Sequence, residues 1–319
     1  MIESKQLDLH GFSGNKIELI RLEGETFVRK TAKDISFNSK MEKEIIKIKE
    51  LEKISKIKKN FKVPKIRTIK KNSAGCIVYE LEFIPGESLD TCLYNMNSKK
   101  IKFFAKKIGE IINDLSSKTV KNKLKEKEFI LKKFQELKTE LSKKKKSAGI
   151  GKELFNEYKE KIEKLRIRES DLTNQSTFCH GDLALDNILI TKKNEIYLID
   201  PLFNDFESTM WDYAKILQSS MTYWNLIKYQ NFQLIPNRKK IIITPNEHIS
   251  MFHKHFLKNL TNMNSSTILI YLAVTLSRVA KYARTDKQLF ALIIIINELL
   301  TDYSNGECDL DGSLNSLRW

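Results

Sequence analysis

The stretch His180-Gly181-Asp182-Leu183-Ala184-Leu185-Asp186-Asn187, with Asp200 thirteen residues further on, constrains this chain more than any other part of it. Two short apolar runs follow the octad. Asn187 to Ile190 reads as a strand, Thr191 to Asn194 as a turn and Glu195 to Ile199 as a returning strand. Such a hairpin brings Asn187, at its start, and Asp200, at its end, to one edge. Asp200-Pro201 stops the second strand, because proline lacks a ladder donor and restrains its neighbour. Any one of these polar residues could simply cap a turn. His, Gly, Asp, Asn and Asp at these intervals point instead to a site.

Two oxygen ligands on one edge suit magnesium, which takes one or two side chains plus phosphates and water. Phosphoryl transfer needs such ligands, together with a carboxylate beside the acceptor hydroxyl. Asp182 and Asn187 keep the interval of the protein-kinase catalytic loop, H-R-D-L-x-x-x-N, with Gly181 in place of the Arg. The octad HGDLALDN followed by LIDP resembles the aminoglycoside phosphotransferase and choline kinase-like small-molecule kinase superfamily. The resemblance implies that Asp182 acts as base, that Asn187 and Asp200 hold Mg2+, and that His180 supports the catalytic loop. Asp200 opens no Asp-Phe-Gly and no Ala-Pro-Glu follows, which points away from a protein kinase and toward the small-molecule branch. The implied fold is α+β: a bilobal protein-kinase-like fold. Residues 1–85 would form a small β-rich, nucleotide-binding N-lobe. Residues 86–319 would form a larger, mostly helical C-lobe with the catalytic loop and the acceptor-binding helices.

A length of 319 residues suits two modest domains or one bilobal enzyme. With 41% hydrophobic and 30% charged residues, the composition is that of an ordinary globular protein. No apolar run follows a basic start, which speaks against a signal peptide. The longest apolar runs, Thr267 to Ser277 and Leu289 to Ile296, fall short of the roughly 20 residues of a spanning helix. Four cysteines form neither a metal spacing nor a disulfide framework, so a reduced, cytoplasmic setting is expected. The net charge of +16 invites a nucleic-acid partner. Residues 121–169, however, supply half of it, 17 Lys and Arg against 9 Glu, interleaved with apolar positions at helical spacing. That is the pattern of solvated helix faces. Nucleic-acid binding is therefore disfavoured.

The first thirty residues read as strand, loop, strand, turn, strand. Gly11 and Gly14 lie in the loop, where glycines let backbone N–H groups approach phosphate oxygens. Lys30 ends the strand after it and is placed to reach the non-reacting phosphates of ATP or GTP, with Arg29 on the opposite face as the competitor. A helix follows, with Met41, Ile45, Ile48 and Leu51 on one face. It carries Glu42 and Glu44, of which Glu44 is the preferred partner for Lys30. Cys76 to Phe83 reads as a strand broken by Pro85-Gly86. By resemblance this is the inter-lobe hinge, where backbone groups of Glu82, Phe83 and Ile84 receive the purine.

Residues 99–167 are helical by pattern, as are Ser265 to Tyr282 and Lys287 to Leu300. Ser208 or Thr209 could cap a helix that carries Asp212 near its start, where it would steady the catalytic loop. Trp211 and Trp224 read as core before pocket. Arg278, Lys281 and Arg284 form a basic cluster that either contacts an anionic or sugar acceptor or sits favourably at a helix C-terminus. His248, His253 and His255 lack the companions of a metal site.

The expected activity is transfer of the γ-phosphate of ATP, or GTP, to a hydroxyl of a small molecule. A sugar or sugar derivative of surface-polysaccharide metabolism is preferred, because the stretch from Ile199-Asp200-Pro201 to Trp211-Asp212-Tyr213-Ala214-Lys215 resembles family members of that kind. Choline, another amino alcohol or an aminoglycoside is the alternative, although +16 disfavours a polycation. A catalytically silent scaffold and a basic nucleic-acid-binding protein are readings of another class. The oligomeric state stays open.

Overall fold

The computed structural model describes residues 7–8, 15–143, 150–260, 263–306, 310 and 317–318. Gly11 and Gly14 lie outside the described residues. The chain divides into two compact units, Met1–Leu89 with Asp186–Phe203 and Asp90–Leu185 with Asn204–Trp319.

The first unit is built on a five-stranded antiparallel sheet of order β1-β2-β3-β5-β4. Its strands are β1 (Leu7–Asp8), β2 (Lys16–Leu22), β3 (Glu25–Thr31), β4 (Ile66–Lys71) and β5 (Ile77–Glu82). Between β3 and β4 runs the helix α1 (Asn38–Lys58). Met41, Ile45, Ile48, Leu51 and Ile54 of α1 recur at three- and four-residue steps and are all buried. Met41, Ile45 and Ile48 meet Ala32, Ile77, Tyr79 and Leu81 in one core. A left-handed Lys59 (φ 59°) ends the helix, its N–H donating to the Ser55 carbonyl.

The same unit contains a second sheet, β6 (Gly86–Ser88), β7 (Ile188–Thr191) and β8 (Ile196–Leu198), in that order and antiparallel. Gly86 is there for steric reasons: a Cβ at this position would lie 2.9 Å from the Ile190 carbonyl oxygen. On the other side Lys62 brackets β8, receiving the Leu198 N–H and donating its own to Ile196 at 2.9 and 2.8 Å. These ladders bind the hairpin to the N-terminal segment. A single cut after Pro85 assigns residues 186–203 to the later segment; the structure groups them with the earlier one.

The second unit is mostly helical. It comprises α2 (Leu89–Leu93), which begins at the boundary, α3 (Ser98–Ser116), α4 (Glu126–Lys143), α5 (Ile150–Lys164), α6 (Met210–Ser220), α7 (Trp224–Lys228), α8 (Glu247–Leu257), α9 (Ser265–Ala280) and α10 (Asp286–Asn305). A small sheet of β9 (Gln233–Ile235), β10 (Lys240–Ile242) and β11 (Leu317–Arg318) completes it. The expected helix to Tyr282 ends two residues earlier, and in the 99–167 region residues 117–125 separate α3 from α4 without helix. Every residue of α6 is buried, so this helix has no solvent face and runs through the core. Trp211 is part of that core, its ring 4.3 Å from Tyr271 and 5.3 Å from Phe129 and its indole N–H on the Phe206 carbonyl. No helix among the described residues is long and apolar enough to cross a membrane.

Candidate functional site

In the first unit Lys30 stands opposite Tyr79 in the β3–β5 register and is 5% exposed. Its Nζ donates to Glu44 Oε1 at 2.7 Å and to Asp200 Oδ1 at 2.6 Å. Tyr79 completes the group by donating its hydroxyl to the same Glu44 oxygen at 2.7 Å. Burial alone would push the Lys30 ammonium toward neutrality. Asp200, Tyr79 and Glu44 outweigh it and hold the Lys30 pKa well above the usual lysine value. Glu42 is exposed. Arg29, on the opposite face of β3, is engaged by Glu80 at 2.8 Å.

The hairpin sets the other oxygen donors. Ile188 pairs with Leu198, and the Ile199 N–H donates to the Asn187 carbonyl at 3.0 Å, so Asn187 and Asp200 flank the open end. Asp200 adopts a left-handed conformation, φ 56°, which Asp tolerates better than most residues. Its carboxylate is 40% exposed while one oxygen holds Lys30. An amide oxygen and a partly exposed carboxylate are hard donors, and they fit magnesium. Among the described residues no group of three or more His, Cys, Asp or Glu could hold a metal. Of the hinge candidates, Glu82 ends β5 with its N–H on the Lys65 carbonyl, Phe83 is exposed and the Ile84 carbonyl accepts from Gly86.

In the second unit the loop around Asp182 is held from behind. The His180 and Gly181 N–H groups donate to the two oxygens of Asp212, each at 2.7 Å. Asp212 and His180 are fully buried, and Asp212 lies in the first turn of α6, where the helix dipole favours an anion. Gly181 takes φ 83°, a conformation that a side chain would strain. Of the two expected caps, Ser208 accepts the Met210 N–H on its hydroxyl at 3.3 Å, whereas Thr209 makes no side-chain cap bond. Asp212→Ala would strand two buried donors, an expected loss of about 2–3 kcal/mol read from the urea midpoint, and an unchanged midpoint would contradict the arrangement.

Asp182 itself is partly buried and accepts from Lys215 Nζ at 2.8 Å. Burial pushes its carboxyl up, but Lys215, then Arg278 and His180, more than offset this and hold it below the usual carboxylate range. Sequence reasoning missed Lys215. Its cue is tertiary: only the burial of every residue of α6 turns an ordinary helical lysine into one that must find a buried partner. Tyr79 was missed as well, since its link to Glu44 depends on sheet register. His253 is structural, contacting the Ser220 hydroxyl and the Leu310 carbonyl at 3.1 and 2.9 Å.

The sequence pattern described as choline/ethanolamine kinase matches residues 74–305. No curated protein matches the chain. Among solved structures, a candidate fructosamine-3-kinase from Haemophilus somnus is similar at 14% identity, covering 91% of this chain and 89% of that one, with a TM-score of 0.54. APH(2″)-IIa, in a ternary complex with streptomycin and ATP, is similar at 12% identity over 96% and 93%, TM-score 0.54. An aminoglycoside phosphotransferase from Alicyclobacillus acidocaldarius gives 12% over 96% and 93%, TM-score 0.51. At these identities the likeness establishes the fold, an α+β protein-kinase-like one.

Proposed function

The chain belongs to the choline/ethanolamine kinase family, phosphotransferases acting on hydroxyl groups, and we propose that it moves the γ-phosphate of ATP or GTP to a hydroxyl of a sugar or sugar derivative. The observation that carries the donor half is the buried Lys30 bonded to both Glu44 and Asp200. A lysine so fixed keeps its charge and presents it to phosphate oxygens without reorganising. ATP in the complex of APH(2″)-IIa supports a nucleotide donor. Asn187 and Asp200 would hold magnesium. When bound, magnesium offsets the charge on the phosphate oxygens.

Asp182 acts on the acceptor. It accepts a hydrogen bond from the acceptor hydroxyl, aims its oxygen at the γ-phosphorus, and receives the proton as the new O–P bond forms and the bond to the leaving diphosphate breaks. Lys215 keeps this carboxylate ionised and fixes one of its oxygens. Asp212 holds the loop that carries it.

A second reading, an amino-alcohol acceptor, has one observation in its favour. A cavity of about 230 Å³ in the second unit is lined by Tyr94, Tyr223, Asn225 and Ser219. Asp90 accepts from the lining Asn225 at 2.6 Å, and the Ser219 hydroxyl accepts from the Leu185 N–H of the octad at 3.3 Å. Aromatic rings near a carboxylate suit a small cation. A panel of hydroxyl compounds that includes sugars, sugar acids, sugar phosphates, choline and ethanolamine, assayed for ADP release with magnesium, separates the two. Acceptor-dependent release with the sugars is the expected result. Release that ignores every acceptor would sink both readings.

A further inference from the structure

The acceptor side of this molecule is built for negative charge. Arg278 lies near the C-terminus of α9, partly buried, and its Nη1 is sealed from solvent with no hydrogen-bond partner among the described residues. A guanidinium has five donors and no way to discharge itself. A buried donor left without an acceptor costs about 1–3 kcal/mol, and more when charged. Burial works against the charge of Arg278, and Asp182 and Glu136 among its neighbours only partly support it.

The two carboxylates that favour its charge each hold another cation. Asp182 is taken by Lys215 at 2.8 Å. Glu136 is taken twice, by Lys133 at 2.8 Å and by Lys281. Lys133 in turn feels Arg278 and Lys281 as like charges. With Lys215 on Asp182 and both Lys133 and Lys281 on Glu136, Arg278 Nη1 is left without a hydrogen-bond partner among the described residues. The Trp211 ring, with its centroid 5.8 Å from the guanidinium carbon, backs Arg278 and limits its swing. A planar fork with an unused edge matches the paired oxygens of a phosphate or carboxylate.

We propose that the acceptor carries an anionic group, a phosphate monoester or a carboxylate, and that Arg278 binds it beside Asp182. This rests on reading Asp182 as the residue that orients the acceptor hydroxyl. Lys215 has a defined part here. By neutralising Asp182 it removes the repulsion that an anionic acceptor would otherwise meet at the base. The same cations count against choline, ethanolamine and aminoglycosides, which would place like charges together.

The test uses the full chain without nucleotide and needs no turnover. Inorganic phosphate, acetate and, as a control, chloride are titrated while tryptophan fluorescence is recorded, Trp211 being the reporter beneath Arg278. Saturable binding of phosphate or acetate is expected, weakened about tenfold or more in Arg278→Gln and less in Arg278→Lys. Phosphate stronger than acetate identifies a phosphate ester; the reverse identifies a sugar acid. Lys30→Met should leave this binding intact. Binding lost in Lys30→Met and kept in Arg278→Gln would place the anion elsewhere and overturn the proposal, as would no saturable binding of either anion. The urea midpoint of Arg278→Gln is expected to hold or rise, because the change removes an unsatisfied buried donor. A clear fall, matched by Arg278→Lys, would make the residue structural and also overturn it. Failure here leaves the kinase reading standing, since that reading is judged by acceptor-dependent ADP release.

Discussion

Asp182→Asn is expected to lower turnover by about 10²–10⁴-fold, the range lost with a general base, while nucleotide affinity stays nearly unchanged. Asparagine keeps the size of the side chain and can still meet Lys215 through its amide oxygen. It cannot take a proton, and its NH₂ group would point a donor where the acceptor hydroxyl also presents one. The pH profile sharpens the assignment. Lys215 and Arg278 outweigh burial and hold the Asp182 carboxyl below the usual carboxylate range, so the ionised form persists as pH falls. No acidic limb from Asp182 is therefore expected between about pH 5 and 8. Removing the cation in Lys215→Met should move a limb upward toward that window. Steady-state rates of the wild type and both variants across pH, with nucleotide affinity measured separately, test this. Full activity in Asp182→Asn would remove the assignment of the base.

How much of this was legible in the sequence depends on how local the physics is. The octad and hairpin could be read because strand alternation, a turn and a terminating Asp-Pro all fall within twenty-one residues of one another. They sufficed to place the chain in its superfamily. The helix carrying Glu44 could be read from its apolar stripe. What could not be read was pairing at long range. The Lys30–Asp200 bond spans 170 positions, and the bond from Gly181 to Asp212 spans 31. A residue such as Lys215 looks like any helical lysine until the burial of every neighbour in α6 is known. Pro85-Gly86 was legible as a break, but the reason for Gly86 is the approach of β7, more than a hundred residues later.

The site thus separates into two charge problems, each solved within its own unit. In the second unit a carboxylate is kept ionised by surplus cations. In the first, a lysine is kept protonated by surplus carboxylates, with Glu44 and Asp200 both on Lys30. The two should fail differently. Loss of Asp182 removes chemistry and leaves the fold; loss of Lys30 damages both.

Lys30→Met is therefore expected to destabilise the protein by about 3 kcal/mol, the lower end for breaking a buried ion pair. The lower end applies because Asp200, 40% exposed, can turn to water once released, whereas Glu44, 12% exposed, cannot. Glu44 would keep only the Tyr79 hydroxyl as its hydrogen-bond partner in this group. Nucleotide affinity should fall by about 10–100-fold, the worth of charge-assisted hydrogen bonds to phosphate. Adding Glu44→Gln to Lys30→Met removes the stranded charge, so the double variant should be no less stable than Lys30→Met alone. Its activity should also fall little below that of the single variant, because Glu44 acts through the lysine. Urea midpoints and nucleotide titrations of the two singles and the double close the cycle. Additive losses would mean that Glu44 and Lys30 work independently, and the account of Lys30 as a lysine held ready for phosphate would have to be abandoned.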